Sequence, residues 1–156
     1  MSADQSFDPT AGHRFFSADY FNRVWDLLDK DRRSEAEGEK MLSMCHASLA
    51  HWRDRDDCGA RQLSVGYWQL SRVYAALGNG ISARTYAEHC LSESQGEPPF
   101  YLGYAYEALC RAAKLNGDAE AAAEHLGEAR EQMALVESGE DRRMLEADLD
   151  QLASDE

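Results

Sequence analysis

Ser64 to Leu91, SVGYWQLSRVYAALGNGISARTYAEHCL, reads as two amphipathic helices joined by a tight Gly-Asn turn. The same grammar returns 39 residues later in GYAYEALCRAAKLNGDAEAAAEHLGEAR, Gly103 to Arg130. Sliding one onto the other without a gap pairs Tyr67 with Tyr106, Leu70 with Leu109, Arg72 with Arg111, Gly78 with Gly117 and Ala83 with Ala122. A helix-turn-helix unit repeated at this period implies a stacked helical array, because one hairpin cannot bury its apolar face alone.

Upstream, residues 1 to about 12 are polar, carry Gly and Pro, show no period and are expected to form a disordered leader. Order should begin at HRFF, with Ser17 as N-cap and Tyr20, Val24, Trp25, Leu27 and Leu28 as the stripe of a first helix ending near Asp31. Ser34 with Glu37 is a capping-box pattern that opens a second helix, inward through Met41, Leu42, Cys45, Leu49 and Trp52 to about Arg53. RDRDDCG, residues 53–59, is a charged connector. Downstream, QGEPP separates the two repeats, since two prolines cannot sit inside a helix. Ser138 to Ala153 reads as a capping helix with Met144, Leu145, Leu149 and Leu152 turned inward. The expected organisation is one all-α domain over 13–153. It holds a divergent hairpin at 17–53, repeats at about 62–95 and 100–136, and the cap at 138–153.

The repeat spacing resembles the tetratricopeptide repeat (TPR): an aromatic, a Leu three residues on, a small or aromatic residue four later, Gly-Asn or Gly-Asp, and Ala five residues after that Gly. HASLAHW followed by GYWQLSRVY also resembles segments of small bacterial TPR-like proteins, a likeness that spans most of the chain and brings no activity with it. The resemblance implies a right-handed array of about seven antiparallel helices, with the first helix of each hairpin lining a concave groove. Carried over residue by residue, the groove-facing positions are Val65, Trp68, Gln69, Arg72 and Ala76, then Tyr104, Glu107, Ala108 and Arg111. Tyr67, Leu70, Tyr74, Tyr106, Leu109 and Ala113 would pack between helices. This sequence lacks the Lys and Asn pattern with which some TPR proteins clamp an acidic C-terminus, so that ligand does not transfer.

Charge makes the groove worth attention. The chain has 29 acidic and 16 basic side chains and a net charge of -13, which disfavours nucleic acid and anionic membranes. Yet two arginines occupy the same inward site of consecutive repeats, beside Trp68 and Tyr104, an arrangement suited to a carboxylate or phosphate. The same spacing also allows a plain ion-pair network, with Glu107 paired to Arg111 at i,i+4 and reaching Arg72.

His46 and His51 are about 140° apart on an ideal helix and cannot chelate one metal as an i,i+4 pair would. One of them could enter the groove beside Trp68 and Arg72. His89 with Glu93 is a poor metal pair, and His13 and His125 show no constellation. No Ser elbow, phosphate-cradling loop or zincin motif is present. No catalytic residue, cofactor or metal is therefore assigned. Cys45, Cys58, Cys90 and Cys110 lack metal or disulfide spacing and read as reduced thiols of a cytoplasmic protein. Asp56 and Asp57 should blunt Cys58. No signal peptide or membrane span is expected.

Two functional readings follow. One is a protein- or peptide-binding adaptor whose groove suits an acidic segment or small anionic ligand, through His46, Trp68, Gln69, Arg72, Tyr104, Glu107 and Arg111. The other is a small-molecule-binding or hydrolytic domain with a closed pocket around His46, Trp68, Arg72, Tyr104 and Glu107. Self-association through exposed helix faces stays open as a third.

Overall fold

The computed structural model describes residues 7–154. Seven helices and no strand make up the described residues: α1 Pro9–Leu28, α2 Glu35–Arg53, α3 Ala60–Ala76, α4 Gly80–Ser94, α5 Pro99–Leu115, α6 Ala119–Ala134 and α7 Gly139–Ser154. Each hairpin packs within itself and on the next, and the odd helices also touch in series, α1 on α3, α3 on α5 and α5 on α7. The chain thus forms the all-helical hairpin array that the repeat implied.

The repeat is visible at the level of single hydrogen bonds. Gly78 and Gly117 take φ of 77° and 75°, the left-handed region where a side chain would be strained. After each, the amide two residues beyond the helix C-cap bonds back across the turn, Asn79 N to Tyr74 O and Asp118 N to Ala113 O, both 2.9 Å. Gly78 N and Gly117 N reach Ala75 O and Lys114 O, completing the same Schellman closure twice. Asn79 and Asp118 then cap the next helix through the amides of Ser82 and Ala121. The Ser34 and Glu37 capping box is also present.

The largest core cluster joins α1 to α5 through Val24, Met41, Cys45, Leu49, Leu70, Val73, Cys90 and Ala105. A second joins α6 to α7 through Ala129, Leu145 and Leu149.

The N-terminal expectation needs correction. Helix α1 starts at Pro9, inside the segment expected to be a leader, while residues 1–6 of that segment lie outside the described residues. Asp8 is the N-cap, accepting from Thr10 N at 3.0 Å, and Pro9 occupies the first turn, where its missing N–H costs nothing. Ser17 is not a cap but a fully buried helical residue. Its hydroxyl donates to Arg14 O and accepts from Arg55 Nη1 at 2.9 Å, and its carbonyl accepts from Ser48 Oγ at 2.7 Å. Arg55 explains why the charged connector is ordered: it also chelates Asp57 and lies 3.8 Å over the Trp52 ring. Helix α1 stops three residues before Asp31 because Arg33 Nη1 donates to the carbonyls of Leu27, Leu28 and Lys30.

Candidate functional site

The odd helices enclose a cleft made of three adjoining hollows. The first, about 280 Å³, is lined by Ala18, Phe21, Gln62, Val65 and Tyr101. The second, about 370 Å³, shares Phe21, Val65 and Tyr101 with it and adds Trp25, Trp68, Arg72, Phe100, Tyr104, Met144 and Asp148. The third, about 390 Å³, shares Arg72 and adds Leu28, Ala75, Arg111, Lys114 and Leu152. Lining residues climb together, from Phe21 to Leu28, Val65 to Ala75, Tyr101 to Lys114 and Asp148 to Leu152. The odd helices therefore share a direction, and the cleft runs along them.

The middle hollow is an aromatic chamber. Trp68 sits between Trp25 at 5.6 Å and the edge of Tyr104 at 5.3 Å, and Phe100 meets Tyr104 edge-on at 5.0 Å. Rings held against one another in this way form a wall that a ligand need not order. Tyr104 donates to Asp148 Oδ2 at 2.8 Å. Burial, and then that carboxylate, push its hydroxyl above the ordinary phenol range, so it serves as a fixed donor.

Beyond the chamber lies a charge cluster centred on Glu107, which is fully buried. Trp68 Nε1 donates to Glu107 Oε2 at 2.9 Å, and Arg111 donates to Oε1 through Nε at 3.1 Å and through Nη2. Arg72 Nη1 stands 3.7 Å from Oε1, within ion-pair range but too far for a hydrogen bond. It is a buried polar atom with no hydrogen-bond partner among the described residues. The guanidinium faces the rings of Trp25 and Trp68, at 5.9 and 5.8 Å. Burial, and then the charge of Arg111, pull its pKa below the ordinary guanidinium value. The third hollow adds Lys114, whose ammonium donates to Leu152 O, so three cations, Arg72, Arg111 and Lys114, line that hollow.

Trp68, Arg72, Tyr104, Glu107 and Arg111 are thus brought together, with Glu107 as the neutralising centre rather than an exposed contact. Three expected groove residues are placed elsewhere. Gln69 is buried, donating to Phe21 O at 3.0 Å and accepting from Cys45 Sγ at 3.6 Å, so it locks α3 to α1 and α2. One residue past Trp68, it is turned about 100° away from the cleft. His46 does not line the cleft; its Nε2 lies 3.1 Å from Tyr74 Oη and its ring packs edge-on to Tyr74 and Tyr86. Burial lowers its pKa, which favours the neutral ring of a packed histidine. Ala108, also expected in the groove, is buried against Ala87 and Leu109.

The sequence reading missed Phe21, Asp148 and Lys114 as lining residues, and placed Phe100 and Tyr101 only as aromatics near the groove, mostly in the core. The available signals were i,i+4 pairs, Phe21 with Trp25 and Met144 with Asp148, each lying beside the helix's core stripe. Met144, expected inward, is half exposed at the cleft mouth. His13, expected to have no partner, meets His51 with Nδ1 atoms 2.9 Å apart, next to Phe16 and Tyr20. Among the described residues, no group of three or more His, Cys, Asp or Glu side chains suits a metal ion. Cys90 touches the aromatic chamber, but burial pushes its thiol up to about 12, which keeps it protonated and non-nucleophilic. Among the described residues, no helix is long and apolar enough to cross a membrane.

No family model matches the chain, and comparison with curated proteins and with solved structures finds no match.

Proposed function

We propose that the protein is a binding module that holds an extended segment of a partner protein along the odd-helix cleft, with a bulky apolar side chain seated in the aromatic chamber. The observation that carries this reading is the chamber itself, an apolar hollow of about 370 Å³ whose lining includes a single cation, Arg72, with a buried, unpartnered N–H. Trp, Tyr and Arg are the residue types that dominate binding energy at protein interfaces. A preformed wall limits the entropy lost on association. The cleft is also long: from Gln62 to Ala76, α3 rises about 21 Å, room for roughly six residues of extended chain. The resemblance of the repeats to TPR units supports the same reading. The four free cysteines among the described residues favour a reducing, cytoplasmic setting.

A small-molecule ligand confined to the aromatic chamber is the second reading, favoured by the chamber's volume, which falls in the range of small-molecule sites. A hydrolytic version lacks support, since His46 is turned away and Glu107 is committed to Trp68 and Arg111.

Selection from a random peptide display library on the immobilised protein tests the proposal. Recovered sequences should share one large apolar residue, and Trp68→Ala should abolish recovery while helical circular dichroism persists. Met144→Glu, at a half-exposed site on the cleft mouth, gives a second check that leaves the core untouched. Recovery unchanged by both substitutions would place binding outside the cleft. Failure of the wild-type protein to select any sequence would remove the peptide reading and leave the small ligand.

A further inference from the structure

The cleft is chemically polarised along its length. At the aromatic chamber the carboxylate of Asp148, fixed by the Tyr104 hydroxyl, lies on the wall and disfavours a second anion there. One step towards the C-terminal ends of α3 and α5 the balance reverses, because Arg72, Arg111 and Lys114 line the third hollow with no carboxylate beside them among its described lining residues, and Glu107, the partner of the two arginines, is fully buried. Arg72 belongs to both hollows, and its buried Nη1 has no hydrogen-bond partner among the described residues. An anion entering the third hollow would offset the excess of cations and, with a small turn of the Arg72 side chain, accept a hydrogen bond from its guanidinium.

Resting on the reading above, we infer that the third hollow is a second subsite that selects for an acidic side chain at a fixed spacing from the apolar anchor of the bound segment. Helix rise sets the spacing. The lining residues of the two hollows are separated by about five residues along α1, seven along α3, six along α7 and twelve along α5, which at 1.5 Å per residue averages roughly 11 Å. A chain in polyproline-II conformation advances about 3.1 Å per residue and returns to the same face every third residue. The recognised element is accordingly an apolar residue with a Glu or Asp three positions away, both side chains pointing into the cleft.

The test uses N-acetylated, C-amidated peptides in a proline- and serine-rich background, so that terminal charges do not contribute. Each carries one Phe, and a Glu placed one to five residues from it on either side, with Gln counterparts. Binding is read by the change in intrinsic tryptophan fluorescence. The Glu peptide at spacing three is expected to bind about 10-fold or more tighter than its Gln counterpart, in keeping with a charge-assisted hydrogen bond. Other spacings should lose that advantage. Lys114→Ala, which leaves the Glu107 cluster intact, should reduce the Glu preference while Phe-dependent binding of the Gln peptides is retained. Equal affinity for Glu and Gln peptides at every spacing overturns the second subsite and leaves the aromatic chamber standing. Absence of any Phe-dependent binding overturns the subsite and the peptide-binding proposal together.

Discussion

The Glu107 carboxylate is surrounded by one indole N–H and two guanidinium groups at a position with no solvent exposure. Removing a buried charge whose partners stay behind is costly, because the partners lose their compensation in a low-dielectric setting. Glu107→Gln keeps the shape and an acceptor for Trp68 but leaves Arg72 and Arg111 facing each other unneutralised. The expected loss is about 3 kcal/mol or more, seen as a fall in melting temperature on the order of 10 °C for a chain of this size. A variant that melts within 2 °C of the parent, followed by circular dichroism, would show that the cluster is far more hydrated than its burial indicates. This network was legible in the sequence, since the 39-residue offset superimposes Arg72 on Arg111 and an i,i+4 step adds Glu107. The places of Gln69 and His46 were not. Helical spacing assigns angles, but residues at the edge of an apolar stripe are settled by which neighbour offers the hydrogen bond, Phe21 O for one and the Tyr74 hydroxyl for the other.

Among the elements, α7 differs from the repeats because it covers the last hairpin and also supplies a cleft wall. Its approach to α5 depends on Gly103, where an added Cβ would stand 2.5 Å from Leu145 Cδ2. Leu145 is fully buried, so Gly103→Ala requires either a different Leu145 rotamer within the core or an outward shift of α7 that carries Met144 and Asp148 with it. Overpacking of this kind costs about 1–3 kcal/mol. Gly117→Ala provides the comparison: its Cβ meets nothing within 4 Å, so only the strain of positive φ, about 1 kcal/mol, should register. Both variants should melt lower, but only Gly103→Ala should change the near-ultraviolet circular dichroism of the chamber aromatics. Equal spectra would mean that α7 adjusts without opening the cleft. Sequence reading found the repeats because a glycine turn followed by an Asn or Asp cap is a strong local signal that both hairpins obey. It found α1 less well: Asp8-Pro9 is a sound helix start, but polar composition and Gly12 masked it. The walls contributed by α1 and α7 follow no repeat, so nothing in the pattern tied them to the same cleft.

For the molecule as a whole, a net charge of -13 must coexist with a cleft proposed to attract an acid. The two effects act over different distances. At 0.01 M ionic strength the screening length is about 30 Å, so an approaching peptide feels the net charge of the entire protein; at 0.15 M it is about 8 Å, shorter than the cleft. The three cations then dominate over the last few ångströms, where contact rather than net charge decides the interaction. Salt should accordingly speed the encounter of the Phe and Glu peptide with the cleft, the opposite of ordinary electrostatic steering between unlike charges. Stopped-flow tryptophan fluorescence at several salt concentrations would separate the rates. The association rate of the acidic peptide is expected to rise several-fold between 0.01 and 0.15 M, while that of the same peptide with two flanking lysines falls. Dissociation of both should quicken only modestly, because the Arg72 contact is shielded from solvent. An association rate for the acidic peptide that declines with salt would mean that the field at the cleft mouth is already positive at long range, and that the surface acids are directed away from it.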